Sequence, residues 1–263
     1  MLFAGIDIGS LTAEAVVIQN GKLVASERIN VKPNPADSAR EVMGLLLQNS
    51  ALKWEDIRYT VSTGYGREKI QKEGMAQENV SEISCHGFGA HVLSPEVRTV
   101  IDIGGQDAKV IRVNGTGELA DFVMNDKCAA GTGHFLEIMS KALGVSLDEI
   151  GPMSRGSKKP IEMSNRCSIY VETEVIHFLQ RGVSKVDLAA GINRAMAERV
   201  LALVRRIGAE KQVMLTGGVA KNVAVRAELE KMLKLRMVDP GIDPQLVGAY
   251  GAAVMAARAG GAK

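Results

Sequence analysis

Short apolar runs with the period of a β-strand dominate the beginning of the chain. Residues 2–9 form an apolar run broken by one aspartate, and alternating runs follow at 13–18 and 22–31, separated by Asn20-Gly21. An Asn-Gly pair between two such runs is typical of a two-residue hairpin turn. The pattern therefore predicts three successive strands, the last two joined as a hairpin.

The same pattern recurs in the middle of the chain. Residues 100–105 repeat the apolar run, the aspartate and the glycine turn, and a second strand pattern at 108–113 ends in Asn114-Gly115. The interval from Asp7 to Asp102 is nearly the same as the interval from Asn20 to Asn114. Because a repeated motif and a repeated hairpin at one offset indicate an internal duplication, we predict two related halves.

The remaining segments alternate between helical and strand patterns, which predicts an α/β protein. Both halves contain strands and helices, and no linker rich in Pro, Ser or charge separates them. We therefore predict two duplicated lobes around a cleft, lobe I at 1–99 and lobe II at 100–263, with the last helix a candidate to pack back on lobe I. The predicted helices are 35–49, a segment after the turn 63–66, 135–143, 167–180, 186–207, 219–233 and 244–258, and further strands are 57–62 and 212–216.

Composition and charge exclude several classes of function. Hydrophobic residues make up 46% and charged residues 24%, and 32 basic against 30 acidic side chains leave a net charge of +2. No strong field is available to collect nucleic acid or an anionic membrane. The chain also shows no basic leader and no apolar stretch near the roughly 20 residues that a bilayer requires. We expect a cytoplasmic protein with neither nucleic acid nor membrane as partner.

Two aspartates carry the first candidate chemistry. Asp7 and Asp102 each end an apolar strand just before a glycine turn, where free backbone N–H groups can meet an anion. Two such loops can hold opposite sides of a triphosphate, with the carboxylates binding Mg²⁺ mainly through its waters. An Asp-x-Gly motif can also be a simple turn, but a third glycine turn at 216–218 favours phosphate binding. Neither a Walker loop nor a GxGxxG fingerprint occurs.

Three motifs together resemble a known superfamily. Residues 5–10, 102–107 and 216–222 are similar to the two phosphate motifs and the adenosine motif of the actin, sugar kinase and Hsp70-like ATPases. The sequence NDKCAAGTG at 125–133 narrows the resemblance to the ATP-dependent activators of 2-hydroxyacyl-CoA dehydratases, within the BadF/BadG/BcrA/BcrD ATPase family. The resemblance covers essentially the whole chain. It implies the actin-like fold and a bound ATP or ADP with Mg²⁺.

The resemblance also implies roles for individual residues. Asp7 and Asp102 would organise Mg²⁺, and Gln106 would orient the attacking water, as Gln does in other nucleotide hydrolases. The residues expected to bind the nucleotide are Gly9, Ser10, Gly104, Gly105, Gln106, Gly131, Thr132, Gly133, Gly217, Gly218 and Asn222.

Members of the resembled family are homodimers that share one [4Fe-4S] cluster, and their ligand cysteines match Cys128 and Cys167. The residues are compatible with this, because a cubane takes four thiolates and two chains would supply four. Both cysteines stand near predicted helix starts, where a thiolate is stabilised. The alternative is that both are ordinary buried thiols. The implied partners are a 2-hydroxyacyl-CoA dehydratase, a benzoyl-CoA reductase or a double-cubane reductase, with ferredoxin or flavodoxin as electron donor.

Other reactive residues receive simpler interpretations. Cys85 beside His86 lacks a third catalytic group and is predicted to lie at a strand-to-helix transition in the core. The histidines lack metal-site spacing and are predicted to be scaffold or surface residues, and the methionines near 139 and 196 to be packing residues. Two other functions stay open: a small-metabolite kinase, which needs no cysteines, and an actin-like nucleotide switch, which would contain no iron.

Overall fold

The computed structural model describes residues 1–125, 127–163 and 167–261, whose strands form two sheets. The first sheet has the order β3-β2-β1-β4-β5 and the second the order β8-β7-β6-β9. The strands are β1 (Leu2–Ile8), β2 (Thr12–Gln19), β3 (Lys22–Asn30), β4 (Ile57–Gly64), β5 (Glu78–Asn79), β6 (Thr99–Ile103), β7 (Ala108–Val113), β8 (Leu119–Asn125) and β9 (Val213–Thr216).

The two sheets repeat one topology. In the first sheet β1 pairs antiparallel with β2 and parallel with β4. In the second sheet β6 pairs antiparallel with β7 and parallel with β9. The third strands, β3 and β8, take equivalent edge positions. The predicted duplication is therefore confirmed, although β8 was not predicted, because its sequence lacks a clear apolar alternation.

Nine α-helices are present among the described residues. They are α1 (Pro35–Ser50), α2 (Arg67–Lys72), α3 (Glu82–Leu93), α4 (Gly133–Leu143), α5 (Leu147–Met153), α6 (Ser168–Gln180), α7 (Lys185–Ile207), α8 (Val223–Leu233) and α9 (Val247–Gly261). The predicted bounds of α1, α6 and α7 are correct to within one residue. Within these described ranges, no helix combines the length and apolarity needed to cross a membrane.

Helices α3 and α9 lie between the two sheets. On the first sheet, Phe3 and Val16 pack against Ala249 of α9. On the second sheet, Val100 packs against Ala90 of α3 and Val247 of α9. The outer faces are covered by α1 on the first sheet and mainly by α4 and α7 on the second. The layers therefore alternate helix, sheet, helix, sheet, helix.

The central layer is held by close backbone approaches. A Cβ atom at Gly5 of β1 would collide with the carbonyl of Ala249 in α9. A Cβ atom at Gly251 of α9 would collide with the carbonyl of Cys85 in α3. Glycine at these two positions lets α9 lie directly on β1 and against α3. Cys85 is thus a buried residue inside α3 rather than at a strand-to-helix transition, and burial raises the pKa of its thiol to about 12.

The alternation of strand residues places the two predicted aspartates. Along β1, Phe3, Gly5 and Asp7 face the central helices, and along β6, Val100 and Asp102 do the same. Each aspartate is the last residue of its strand on that inner face. Both carboxylates therefore meet where the helical layer ends, at the mouth of the cleft. Met139 and Met196 lie in the core behind the second sheet, as predicted.

Candidate functional site

A cavity of about 530 Å³ opens between the ends of the two sheets. It brings together most of the predicted site residues: Asp7, Gly9, Ser10, Asp102, Gly104, Gly105, Gly133, Gly217, Gly218 and Asn222. Gln106, Gly131 and Thr132 are not among the lining residues, and Gln106 is exposed on its loop. Asp126, part of the motif at 125–133, lies outside the described residues.

Asp102 is surrounded by donors and cations. Thr216 donates a hydrogen bond to Oδ1 at 2.8 Å, and Nζ of Lys109 lies 3.3 Å from Oδ2. Nδ1 of His86 lies 3.3 Å from Oδ1. Burial alone would raise the pKa of Asp102, but His86, Lys109 and Thr216 outweigh it and lower the pKa. Asp102 is therefore held as a carboxylate.

Lys109 is a buried cation enclosed by three carboxylates. Its Nζ lies 2.7 Å from Asp107, 3.2 Å from Glu82 and 3.3 Å from Asp102. Burial disfavours its charge, yet the three carboxylates raise its pKa above the ordinary value. The hydroxyl of Tyr65 donates to Asp107 at 2.9 Å, and burial beside this carboxylate raises the pKa of Tyr65 to about 12. Asp102 and Asp107 of the second loop therefore share one buried ammonium in direct contact.

Asp7 has the opposite environment. Its nearest basic atom is Nε2 of His86, 3.9 Å from Oδ2. Burial, followed by the charges of Glu14, Glu82 and Asp102, raises the pKa of Asp7 well above its ordinary value. The backbone also confines it, because a Cβ atom at Gly64 or Gly248 would collide with its carboxylate. Asp7 is therefore a confined acid, and the described part of the chain places no close cation of its own beside it.

His86 connects the two aspartates, a position that its interpretation as scaffold or surface did not anticipate. It is buried on α3, and Nδ1 lies 3.2 Å from the Thr216 hydroxyl as well as near Asp102. Sequence reasoning also passed over four further lining residues, Glu14, Tyr65, Asp107 and Lys109. Two of these, Glu14 and Lys109, lie within predicted strands, where only the apolar pattern was read.

The donor set was tested against a bound metal ion. Within the described residues, no group of three or more His, Cys, Asp or Glu side chains converges as a metal site. Mg²⁺ commonly binds through one or two carboxylates together with phosphate oxygens and several waters. Asp7 and Asp102, facing each other across a cavity of this size, fit an ion that arrives with a nucleotide and keeps its water shell.

Cys128 and Cys167 stand before two neighbouring helices, α4 and α6. Cys128 lies in the loop that leads into α4, where Nδ2 of Asn125 donates to the Cys128 carbonyl at 2.8 Å. Nη2 of Arg199 lies 3.5 Å from the Cys128 sulfur. Cys167 is the N-cap residue of α6, and both thiols are half-buried and free. Two accessible thiols, one beside a guanidinium and one at a helix N-terminus, have the chemistry of thiolate ligands.

The loop that carries Cys128 is tied to the second glycine turn. At the start of α4, the N–H of Gly133 donates to the carbonyl of Gly104, and the N–H of His134 donates to that of Gly105, each at 2.8 Å. A displacement of the Gly104-Gly105 turn is therefore transmitted directly to the N-terminus of α4.

Comparison with known sequences identifies close relatives. Residues 4–256 match the BadF/BadG/BcrA/BcrD ATPase family. The chain is 42% identical to the (R)-2-hydroxyglutaryl-CoA dehydratase activating ATPase of Acidaminococcus fermentans, over 96% of this chain and 95% of that protein. It is 33% identical to one of the subunits of benzoyl-CoA reductase from Thauera aromatica, over 97% of this chain and 92% of that protein.

Solved structures agree with the fold. The activator of the 2-hydroxyisocaproyl-CoA dehydratase from Clostridium difficile with bound ADPNP superposes with a TM-score of 0.93 at 40% identity, covering 99% of this chain and 96% of that one. A ROK family glucokinase from Streptomyces griseus shares the fold at 14% identity, with a TM-score of 0.58 over 98% of this chain and all of that one. The predicted actin and sugar-kinase-like fold is confirmed.

Proposed function

Because this chain belongs to the BadF/BadG/BcrA/BcrD ATPase family, we propose that it is an ATP-dependent one-electron activator of a 2-hydroxyacyl-CoA dehydratase-type iron–sulfur enzyme. In this role, ATP hydrolysis is coupled to low-potential electron transfer through a [4Fe-4S] cluster shared by two subunits. The relative from Acidaminococcus fermentans, which is named as a dehydratase activating ATPase, supports the assignment.

One observation carries the coupling part of the proposal. The Gly104-Gly105 turn lines the cavity and is hydrogen-bonded to the first residues of α4, directly after the loop of Cys128. A phosphate group that binds or leaves at this turn therefore acts on the cysteine loop through two hydrogen bonds. Coupling requires a structural element whose conformation depends on the bound nucleotide and whose movement changes the surroundings of the electron-transfer centre. The start of α4 meets both conditions.

The nucleotide end of the site follows from the cavity. Gly9, Ser10, Gly104 and Gly105 form the turns assigned to the phosphates. The N–H groups of Gly9 and Gly104 donate to the carbonyls of Thr12 and Asp107, so Ser10 and Gly105 would supply the N–H contacts. Gly217, Gly218 and Asn222 border the adenosine. Asp7 and Asp102 hold Mg²⁺ through its waters. Gln106 is assigned to the attacking water. Its exposed position on the loop after Gly105 requires it to turn inward when nucleotide is bound.

The cysteine end of the site implies a homodimer. Each chain offers Cys128 and Cys167, so two chains supply the four thiolates of one cubane. The cluster supplies one-electron transfer at low potential when bound. Nη2 of Arg199 lies 3.5 Å from the sulfur of Cys128, one of the proposed ligands. With iron as the reactive centre, exposure to oxygen is expected to inactivate the protein, so the natural setting is anaerobic.

The partner is proposed at the level of its chemical class. The reduced cluster would pass its electron to an iron–sulfur dehydratase acting on a 2-hydroxyacyl-CoA, and a ferredoxin or flavodoxin would replace that electron. The similarity to a benzoyl-CoA reductase component favours, as the alternative partner, a benzoyl-CoA reductase or a double-cubane reductase.

Iron content and dimer mass test the proposal together. Anaerobically purified protein is expected to contain about four irons per dimer. Cys128→Ser and Cys167→Ser should each remove the iron, whereas the matched control Cys85→Ser, deep in α3, should keep it. Iron retained by both cysteine variants, or a monomer without iron that still hydrolyses ATP, would refute the shared cluster and favour a kinase or a nucleotide switch.

A further inference from the structure

Glu14 is a buried acid whose side chain is incompletely used. It lies on β2, is only 3% exposed, and lines the nucleotide cavity. Its Oε1 atom has no hydrogen-bond partner among the residues that the structure describes. A buried acceptor without a partner carries a desolvation cost. Its position in the cavity wall indicates that a bound group supplies the missing donor.

The strand register places Glu14 in a row of charges. Glu14 pairs across the sheet with Asp7 on one side and with Arg28 on the other. Residues paired in this way share one face of the sheet, which here is the face that lines the cavity. The guanidinium of Arg28 is hydrogen-bonded to Asp243 and Gln245. Burial raises the pKa of Glu14 to about 7, and Arg28 opposes that rise without supplying the hydrogen bond missing at Oε1.

The charge of the first loop requires a cation. Asp7 and Glu14 lie side by side, whereas the buried ammonium of Lys109 is committed to Glu82, Asp102 and Asp107. A triphosphate arriving at Gly9 and Ser10 therefore meets two acids that repel it. A divalent cation with its water shell replaces this repulsion by attraction, because its charge attracts both phosphate and carboxylate. Its waters also donate hydrogen bonds.

We propose that Glu14 belongs to the site of the divalent cation that accompanies the nucleotide, with its free Oε1 accepting a hydrogen bond from a cation-bound water. The inference rests on the proposed function, since the cation is the one that arrives with ATP or ADP. It adds a third carboxylate to Asp7 and Asp102. As a consequence, ionised Glu14 weakens the binding of a metal-free nucleotide, and the cation strengthens it.

Manganese titration of the ADP complex tests this role. The anaerobically purified holoprotein is saturated with ADP, and Mn²⁺ binding is followed by electron paramagnetic resonance of the free ion. Glu14→Gln is expected to bind Mn²⁺ at least tenfold more weakly, and to bind ADP in the presence of EDTA more tightly than the unsubstituted chain. Glu14→Asp, which keeps the carboxylate, should recover part of the Mn²⁺ affinity.

The control is Glu27→Gln on the neighbouring strand. Glu27 faces α1 rather than the cavity, because Asn49 of α1 donates to its carboxylate at 2.8 Å. Glu27→Gln should leave the affinity for Mn²⁺ and the affinity for ADP in EDTA unchanged. An Mn²⁺ affinity of Glu14→Gln within twofold of the unsubstituted chain, in a variant that keeps its iron and its unfolding temperature, would overturn the role of Glu14 and leave the proposed function standing. If the unsubstituted chain does not bind ADP, both the role of Glu14 and the proposed function are refuted.

Discussion

The two aspartate loops have the same position in duplicated sheets and opposite electrostatics. Asp7 and Asp102 each end the central strand of a sheet, and each faces the same helical layer. Yet the pKa of Asp7 is raised well above its ordinary value, and that of Asp102 is lowered. Burial raises the pKa of both carboxyls. At Asp102 it is outweighed by His86 and by the strand partner Lys109, whereas the strand partner of Asp7 is Glu14, which raises the pKa further.

This contrast shows how a duplicated backbone acquires unequal roles. β2 and β7 are equivalent strands, so one pairing position holds an acid in one half and a base in the other. In the second half, Asp102 has the buried ammonium of Lys109 in contact before any ligand binds. In the first half, the partner of Asp7 is a second acid, and on our proposal a cation enters there with the nucleotide.

Removal of Lys109 should give the largest effect. Lys109→Met leaves Asp102, Asp107 and Glu82 buried without their shared cation, so we expect the free energy of unfolding to fall by about 3–5 kcal/mol. Urea unfolding in EDTA measures this, with Lys22→Met at an exposed position as control. A loss below about 1 kcal/mol would show that the second loop is not held by Lys109.

The free energy of unfolding, measured over a pH series, should show that the buried acid Glu14 beside the first loop is destabilised when it is ionised. The pKa of Glu14 is raised from 4.5 to about 7, chiefly by burial. The folded state binds the proton of Glu14 more tightly than the unfolded state does. The resulting stabilisation of the folded state is complete below pH 4.5 and is lost as the pH rises through 7. In metal-free protein, the free energy of unfolding is expected to decrease by up to about 3 kcal/mol over this pH range. Glu14→Gln should flatten the profile, and an unchanged slope would contradict the assignment.

Matched amide substitutions should change stability in opposite directions. At pH 8 in EDTA, Asp7→Asn replaces a carboxyl whose charge burial and nearby acids disfavour and should raise the free energy of unfolding, whereas Asp102→Asn removes a favoured charge and should lower it. Both should slow Mg²⁺-dependent ATP hydrolysis at least tenfold without loss of iron. Stability changes of equal sign would contradict the contrast between the loops, and unchanged turnover would remove the substituted residue from the site.

The smallest effect is expected at the residue between the loops. His86→Gln keeps a polar side chain but disturbs the contacts with Thr216 and Asp102, so we expect a loss of about 1 kcal/mol in thermal or urea unfolding. The pKa of Asp102 should rise, because His86 is the first of the neighbours that lower it. Nuclear magnetic resonance of the Asp102 carboxyl can detect this, and an unaltered titration would show that His86 only fills space.

The sequence allowed much of the fold to be predicted, because its signals are local. Strands β1 to β3, β6 and β7, the Asn-Gly turns and both aspartate loops follow from alternation and turn residues. Helix α3 was missed for a physical reason: it is covered on both sides, its residues from Cys85 to Ala90 are all buried, and such a helix shows no one-sided apolar stripe.

The site could be predicted only where its residues belong to glycine motifs. Lys109 and Glu14 lie in strands, and their roles depend on partners such as Glu82 and Gln245 that are distant along the chain. The predicted helix 219–233 also differs, because Asn222 accepts the N–H groups of Ala224 and Val225 and so begins α8 at Val223. An N-cap residue inside an apparently helical segment was not recognised as a boundary.

The position of α9 has a consequence for biosynthesis. This helix, Val247–Gly261, covers the inner face of the first sheet, which is built from residues near the N-terminus. A ribosome therefore completes all strands of that sheet long before it makes the helix that covers them. Phe3, Val16 and Val61 therefore stay without this cover until α9 has been made, and apolar surface exposed in this way favours aggregation or chaperone binding during synthesis.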